Sequence, residues 1–158
     1  MTSIALIAMG GNIDNPRRHL ESAIEKMRSR GWEIAALSGW HITEPVGYSD
    51  QPDFINAVVA VRVPATITPE KLMKWLLATE IEEGRQRPSP VANGPRSCDL
   101  DLLFFDREKR DTKELQLPHP RWRERLFVLE PLIEVLEQLD SAEDLLAEAK
   151  SAAAALKS

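Results

Sequence analysis

Residues 54–63 predict a strand whose side chains alternate between two faces, and this pattern limits the possible folds of the chain more than any other feature. Successive side chains of a strand point to opposite faces, so the alternation defines two faces. The first face is wholly apolar and consists of Ile55, Ala57, Val59, Val61 and Val63. The second begins with Phe54 and Asn56. We expect a sheet strand whose first face is core and whose second face starts with two residues available for other contacts.

The segments around this strand predict a mixture of helices and strands. Asn15-Pro16 precedes apolar residues at helical spacing, and Thr68-Pro69-Glu70 opens a second helical pattern that ends near Gly84. Apolar runs at residues 4–9, 32–41 and 98–105 predict further strands, and Ser141 is a candidate cap for a final helix. The expected fold class is therefore α+β, with helices covering a mainly antiparallel sheet.

The bulk composition narrows the class of protein. The chain has 158 residues, 43% of them hydrophobic, so we expect one domain over residues 1–158. A net charge of −5 argues against a sequence-independent nucleic-acid binder. No apolar stretch approaches the roughly 20 residues of a membrane span, and the single cysteine, Cys98, fits a reducing compartment. We therefore expect a cytoplasmic protein without membrane or nucleic-acid partners, and nothing demands more than a monomer.

Gly10-Gly11 follows the first apolar run and raises the question of a phosphate loop. The complete Walker pattern, which ends in Gly-Lys-Ser/Thr, is missing. We therefore interpret the pair as a tight turn between strand and helix and assign it no phosphate.

Asp99 and Asp101 interrupt the otherwise hydrophobic strand at residues 98–105. They are two residues apart, so both side chains project from the same face of the strand. One alternative is that they are solvent-facing charges on an edge strand. The other is a magnesium site, because Mg²⁺ needs only one or two carboxylates together with water and substrate phosphates. The apolar neighbours make the strand look buried, where unpaired carboxylates are costly, and this favours the metal site.

Two basic clusters could bind phosphate. The turn-rich segment before the aspartates contains Arg85, Arg87 and Arg96, and a later loop contains His119, Arg121, Arg123 and Arg125. Guanidinium groups grip pairs of phosphate oxygens and keep their charge at neutral pH, although such arginines are often simply solvated. Zinc is a poor alternative for His119, because the segment offers no second histidine and no cysteine.

Asn56, Phe54 and Phe127 could bind an aromatic heterocycle. An amide gives and accepts hydrogen bonds at a ring edge, and aromatic rings offer stacking faces. Ordinary core packing is the alternative for both aromatic residues. These patterns indicate magnesium and polyphosphate chemistry but do not name the second substrate.

Five segments, in the same order, resemble the 6-hydroxymethyl-7,8-dihydropterin pyrophosphokinases of folate biosynthesis. They are Ala8-Met9-Gly10-Gly11-Asn12, Thr43-Glu44-Pro45-Val46-Gly47 with residues 50–58, Glu80 with Gly84-Arg85-Gln86-Arg87, residues 94–103, and Leu117-Pro118-His119-Pro120. The resemblance extends from near the N-terminus to about Leu132. The most specific match is the Pro-Arg-x-x-Asp-Leu-Asp pattern that ends at Asp101.

This resemblance implies a ferredoxin-like α-β-α sandwich, ATP as co-substrate, two Mg²⁺ ions and AMP as product. Asp99 and Asp101 match the metal ligands, and Asp101 is placed to orient or deprotonate the attacking hydroxyl. Arg85 and Arg96 match catalytic groups that neutralise developing charge. The matching nucleotide or phosphate contacts are Glu80, Arg85, Arg87, Arg96, His119 and Arg125. The matching residues of the pocket for the reduced pterin are Thr43, Val46, Phe54, Asn56 and Phe127.

Several positions depart from the family pattern. Ala92-Asn93 stand where the family often has Arg-Trp, and the loop looks about one residue longer. Leu77, Pro120 and His41 replace a frequent Gln, Tyr and Tyr. One alternative is therefore a divergent pterin- or nucleotide-binding module with impaired turnover. Another is an RNA-binding sandwich of similar architecture, against which the acidic charge and the missing RNP-like aromatics argue.

Overall fold

The computed structural model describes residues 1–45, 47, 50–85 and 95–158. Val46 and Arg87, two of the predicted site residues, lie outside the described residues. The strands are β1 (Thr2–Gly11), β2 (Glu33–Leu37), β3 (His41–Thr43), β4 (Phe54–Pro64), β5 (Asp99–Phe105), β6 (Arg110–Asp111) and β7 (Gln116–Leu117). The helices are α1 (Pro16–Ser29), α2 (Pro69–Glu82), α3 (Leu126–Gln138) and α4 (Glu143–Lys157), with a 3₁₀ helix at Trp122–Glu124.

The main sheet has the strand order β2-β4-β1-β5, and β3 pairs with β4 beside β2. Every pairing in this sheet is antiparallel. Consequently β1 and β2 run parallel with β4 between them, and β4 and β5 run parallel with β1 between them. The helix α1 connects β1 to β2, and α2 connects β4 to β5, so each parallel pair has one crossover helix. This is the split β-α-β arrangement of a ferredoxin-like sheet. The predicted α+β class with a mainly antiparallel sheet is confirmed.

Both faces of the sheet are covered. The alternating face of β4 that carries Val59 and Val61 packs against α1 and α2, with Leu20, Met27, Leu72 and Leu76 as helix partners. The opposite face, including Val58 and Ala60, packs under α3 and α4 in a second core cluster. The expectation that only the first face is core was therefore incomplete, because two more helices bury the middle of the second face. Phe54 and Asn56 begin this second face, as expected.

Local sequence signals mark the starts of α1 and α2, although the Asn15 side chain makes no capping hydrogen bond, and they fail near the C-terminus. Asn15 precedes α1 with Pro16 at the first helical position, and the Thr68 side chain accepts a hydrogen bond from Lys71 N at the start of α2. Ser141 does not cap α4: it has a φ of 61°, and Ala142 is the residue before the helix. None of the helices in the described ranges combines the length and the apolar character that crossing a bilayer requires.

Candidate active site

The site floor lies on the α3 side of the sheet, where β4, β1 and β5 run side by side. Gly10 of β1 pairs with Asn56 of β4 on one side and with Asp99 of β5 on the other. Two residues earlier, Ala8 pairs with Val58 and with Asp101. Directly paired residues share a face, so Asn56 and the two aspartates flank a strand that has only small side chains there. The predicted common face of Asp99 and Asp101 is observed.

A cavity of about 690 Å³ opens above this floor. It is bounded by β3 and the start of β4 on one side, and by the 3₁₀ helix and the first turn of α3 on the other. The predicted site residues in its lining are Thr43, Phe54, Asn56, Arg96, Asp99, Asp101, Arg125 and Phe127. The fold thus brings together eight residues that are spread over more than half of the sequence.

Asn56 is 7% exposed, and its Nδ2 donates a hydrogen bond to Thr43 Oγ1 at 2.6 Å. A Cβ added at Gly10 would lie only 2.8 Å from Asn56 Oδ1, and one added at Gly11 would lie 2.5 Å from the backbone oxygen of Ser97. The prediction of a tight turn at Gly10-Gly11 was wrong, because both residues belong to β1. Glycine is required here because neighbouring polar atoms approach the strand closely.

Two arginines converge on Asp99. Arg85 Nη1 lies 2.5 Å from Asp99 Oδ1, and Arg96 Nη1 lies 3.3 Å from Asp99 Oδ2. The guanidinium carbon of Arg96 also lies 5.4 Å from the centre of the Phe54 ring, which is a cation–π distance. Burial lowers the pKa of Arg85, but the negative charges of Asp99 and Glu80 outweigh it and raise that pKa. Both guanidinium groups are therefore held against Asp99, and Arg96 also lines the cavity.

Glu80 supports this arrangement from beneath. Its side chain is 1% exposed, and its Oε2 accepts hydrogen bonds from Leu100 N at 2.6 Å and from Arg85 Nη1 at 3.1 Å. It thus connects α2 to the backbone of β5 between the two aspartates. The predicted nucleotide contact of Glu80 stays a prediction; the observed role is to hold Arg85 and β5 together.

Asp101 is the electrostatically least favourable carboxylate of the site. Burial, followed by the charges of Asp99 and Glu80, raises the pKa of Asp101 from 3.8 to about 7, against the opposing effect of Arg125 and Arg85. A divalent cation would relieve this repulsion, and the two carboxylates supply oxygen ligands on one face. Among the described residues no group of three or more acidic, histidine or cysteine side chains could hold a metal by itself. The donor set therefore fits Mg²⁺ that completes its coordination with water and phosphate.

His119 lies on the other side of Asp101. A second cavity of about 230 Å³ includes Asp101, His119, Met73 and Lys113 in its lining, so Asp101 borders both cavities. Burial and the charge of Arg125 lower the pKa of His119, with Asp99 opposing and Arg121 adding to the effect. Arg121 N donates to His119 Nδ1 at 3.1 Å, so the neutral ring carries its proton on Nε2 and can donate from there.

The second basic cluster divides into two groups. Arg121 and Arg125 line the larger cavity, and the guanidinium carbon of Arg125 lies 5.7 Å from the centre of the Phe127 ring. Arg123 instead pairs with Glu148 of α4, with 2.8 Å between Nε and Oε1, and stacks on Trp122. The expectation that Arg123 belongs with the other phosphate-facing arginines was wrong, since alternate residues of this turn point in different directions.

The structure adds two residues that the sequence patterns did not single out. Asn12 is 5% exposed, donates to Pro52 O at 2.8 Å, and accepts from Arg96 N at 3.0 Å. It therefore ties the segment before β4 to the segment before β5. Leu156, near the end of α4, lines the larger cavity although it lies far along the chain from the other lining residues. The Gly10-Gly11-Asn12 triplet is part of the family pattern and could have indicated that Asn12 belongs to the site. The alanine-rich end of α4 contains no pattern that would have indicated Leu156.

Comparison with known proteins identifies the family of the chain. The family model for 7,8-dihydro-6-hydroxymethylpterin-pyrophosphokinase matches residues 6–137. The 2-amino-4-hydroxy-6-hydroxymethyldihydropteridine pyrophosphokinase of Bacillus subtilis (strain 168) is 40% identical over 141 residues, which cover 89% of this chain and 82% of the relative. The protein of the same name from Pseudomonas aeruginosa is 35% identical, with 84% and 80% covered.

A longer relative matches in part. The folate synthesis bifunctional protein of Arabidopsis thaliana is 37% identical over 138 residues, which cover 86% of this chain but 28% of that protein. The family match includes all the predicted site residues, from Thr43 to Phe127, whereas α4 and Leu156 lie beyond it. The chain therefore belongs to the 7,8-dihydro-6-hydroxymethylpterin-pyrophosphokinase family, whose members are enzymes of pyrophosphoryl transfer in folate biosynthesis.

Proposed function

We propose that the larger cavity is where this chain transfers a pyrophosphoryl group from ATP to the hydroxymethyl group of 6-hydroxymethyl-7,8-dihydropterin, with release of AMP. The observation that carries this proposal is the position of Asp99 and Asp101. Both lie on one face of β5 at the cavity floor, with Asn56 on one flank and basic side chains on the other. A cation-binding pair between a heterocycle pocket and phosphate ligands suits this reaction.

The pterin pocket in this proposal lies at β3, β4 and the first turn of α3. The amide of Asn56 meets the polar edge of the ring, and Thr43 holds that amide in position through the 2.6 Å hydrogen bond. Phe54 and Phe127 lie on the cavity wall and provide the stacking faces. Val46 is proposed as a further wall residue from its place in the sequence pattern. Together these groups would fix the hydroxymethyl carbon toward β5.

Asp99 and Asp101 would hold the magnesium, with two ions expected. Bound Mg²⁺ supplies charge neutralisation and a fixed geometry for the phosphates. In this proposal Asp101 also serves the second substrate: its carboxylate would orient the hydroxyl and take the proton that leaves as the oxygen attacks the β-phosphorus. The fit rests on the oxygen donor set and on the crowding of negative charge around Asp101.

The phosphate side of the site consists of Arg85, Arg96, Arg125 and His119, with Arg87 added from its place in the sequence. Arg85 and Arg96 are paired with Asp99 here, and phosphate oxygens would compete for the same guanidinium donors. Their contribution should be greatest when charge builds on the oxygen between the α- and β-phosphorus atoms. His119 can donate from Nε2 to a nucleotide oxygen. Glu80 would act chiefly by holding Arg85. The family pattern suggests that it also contacts the nucleotide directly.

The test is AMP formation from ATP and 6-hydroxymethyl-7,8-dihydropterin, with and without Mg²⁺. Wild-type protein should form AMP only when both magnesium and pterin are present. Asp101→Ala should remove this activity, and Asp111→Ala, an exposed carboxylate on β6, should leave it unchanged. ADP as product would mean attack at the γ-phosphorus and would refute the proposal. Tight pterin binding without nucleotide turnover would indicate the binding module instead.

We propose further that residues 1–158 form one domain that acts as a monomer in the cytoplasm. The single cysteine, Cys98, is buried and cannot form an intramolecular disulfide, so the chain does not require an oxidising compartment. Light scattering of the purified protein at micromolar concentration should give the mass of one chain, 17.8 kDa. A stable mass of twice this value would refute the monomer.

A further inference from the structure

Glu83 is a buried carboxylate that the proposed mechanism does not use. Its side chain is 7% exposed, and α1 supplies three polar partners. His19 Nδ1 lies 2.8 Å from Oε1, Ser22 Oγ donates to Oε2 at 2.9 Å, and Lys26 Nζ lies 2.5 Å from Oε2. Burial raises the pKa of Glu83, but hydrogen bonds from Lys26, His19 and Ser22 outweigh it and lower that pKa. The group is therefore charged and firmly held.

The three α1 residues form one stripe on the helix. They are three and four positions apart, so they face the same side, toward the end of α2. Such a stripe of polar residues has no role in the core formed by Leu20, Ala23, Ile24 and Met27. Its effect is to anchor the residue after the last turn of α2.

The backbone of Glu83 connects this anchor to the active site. Its carbonyl oxygen accepts a hydrogen bond from Ser97 Oγ at 2.8 Å, and Ser97 is 2% exposed. Arg85 follows two residues after Glu83, across Gly84, whose φ of +94° turns the chain out of the helix. Arg96 precedes Ser97. Both arginines that bind Asp99 are therefore close to this contact along the chain: Arg85 is two residues from Glu83, and Arg96 is one residue from Ser97.

A second set of contacts fixes the far side of Ser97. The backbone N–H of Asn12 donates to Arg96 O at 2.8 Å, and its side-chain Oδ1 accepts from Arg96 N at 3.0 Å. The Ser97 carbonyl also packs directly on Gly11. Residues 96–97 are thus held between the end of β1 and Glu83. Loss of the Glu83 anchor would free one side of this arrangement.

We propose that Glu83 is a positioning residue for pyrophosphoryl transfer: α1 holds its carboxylate, and its backbone holds Ser97, so that Arg85 and Arg96 meet at Asp99. This inference rests on the proposed phosphate roles of the two arginines. Because those roles are exerted mainly in the transition state, displacement of the arginines should lower kcat more than it weakens pterin binding. If Glu83 only stabilised the fold, its substitution would not lower kcat while leaving pterin binding intact.

The test compares Glu83→Gln with Glu82→Gln, a matched change at the neighbouring exposed residue. Glu83→Gln should lower kcat by roughly 10- to 100-fold, because a displacement of about 1 Å can have that effect. Its pterin Kd should stay within about twofold of wild type, and Glu82→Gln should behave as wild type. Val135→Ala, in the core cluster on the opposite face of the sheet, controls for simple destabilisation. It should lower Tm but leave kcat unchanged well below the transition.

A second variant keeps the inference testable if Glu83→Gln does not fold. Ser97→Ala removes the other half of the contact and should also lower kcat with pterin binding intact. If both variants fold, the double variant should lose less than the sum of the single effects, because the two changes act through one contact. Full kcat in either folded single variant, or simple additivity in the double variant, would overturn the positioning role.

Arg96→Ala, measured in parallel, separates this inference from the proposed function. Loss of kcat in Arg96→Ala together with normal kcat in Glu83→Gln would overturn the inference alone. Normal kcat in Arg96→Ala would refute the proposed function of that arginine, and the positioning role would fall with it. Loss in all three variants, with pterin binding intact in Glu83→Gln and Ser97→Ala, supports both.

Discussion

Replacement of Gly10 by alanine should weaken pterin binding selectively. Gly10 is in regular strand conformation, so its backbone can accept a Cβ, but that Cβ would lie 2.8 Å from Asn56 Oδ1. Cβ contacts below 3.0 Å are essentially never found, so the Asn56 side chain must move. It is 7% exposed and bound to Thr43, and movement will disturb that hydrogen bond as well. The amide would then no longer meet the pterin edge.

The size of the effect follows from the hydrogen bonds at risk. A neutral hydrogen bond contributes about 0.5–1.5 kcal/mol, so losing two to the pterin would cost about 1–3 kcal/mol. This corresponds to a pterin Kd that is roughly 5- to 150-fold higher. The free energy of unfolding should fall by only about 1–3 kcal/mol, the usual cost of one inserted methyl group. ATP binding should be almost unchanged, because Gly10 adjoins Asp99 through its backbone rather than through a side chain.

Isothermal titration of pterin and of ATP into Gly10→Ala would measure both effects, with Gly11→Ala as the matched control. The Gly11 Cβ would lie 2.5 Å from the backbone oxygen of Ser97, on the other face of β1. Gly11→Ala should therefore lower kcat and Tm through residues 96–97 but spare the pterin Kd. Equal pterin affinity in wild type and Gly10→Ala would refute the proposed role of Asn56. Equal weakening of pterin and ATP would refute the separation of the two pockets.

Three other outcomes follow from the same geometry. Because burial and neighbouring charges raise the pKa of Asp101 from 3.8 to about 7, the contribution of Asp101 to the stability of the metal-free protein should fall as the pH rises from about 4 to about 7, and stabilisation by Mg²⁺ should be larger at pH 8 than at pH 6. Thermal melts with and without Mg²⁺ check this, and Asp101→Asn should remove both pH effects. Leu156→Ala should raise the pterin Kd by no more than about fivefold, since a residue that is 43% exposed buries only part of its apolar surface. An unchanged pterin Kd would mean that Leu156 lies outside the part of the cavity that the pterin occupies. Arg123→Ala should leave AMP formation unchanged and alter stability by less than about 1 kcal/mol, because it breaks an exposed ion pair with Glu148; a large fall in activity would show that Arg123 does reach the substrates.

The parts of the site that the sequence predicted depend on spacing within one element. Asp99 and Asp101 must share a face in any regular strand, and Phe54 with Asn56 must begin the face opposite Ile55. The order of helices and strands up to β5 was also predicted from apolar patterns and caps, except that the single strand predicted at residues 32–41 is divided, with β2 at Glu33–Leu37 and β3 beginning at His41. Local periodicity is sufficient for these features because it does not depend on which other segments lie nearby.

The features that the sequence did not predict depend on distant neighbours. Gly10 and Gly11 look like a turn until Asn56 and Ser97 are placed beside them, and these are 46 and 86 residues away along the chain. Glu83 looks like another exposed glutamate at a helix end until α1 is packed against it. Arg123 and Arg125 are chemically identical, and only the position of α4 and Glu148 tells them apart. Tertiary packing, rather than propensity, decides each case.

The division of the floor among three strands explains why β1 has its small residues where it does. In the proposed function Asn56 on β4 would face the pterin and the aspartates on β5 would face the cation, so the two substrates would meet above the strand between them. A large side chain at position 8 or 10 would fill that space, since Ala8 and Gly10 pair with residues of both neighbours. The free volume of the cavity is therefore a property of the central strand, whereas its chemistry belongs to the flanking ones. A large side chain at position 8 or 10 should thus keep the two substrates apart, whereas substitutions in β4 or β5 should remove the contacts of one of them.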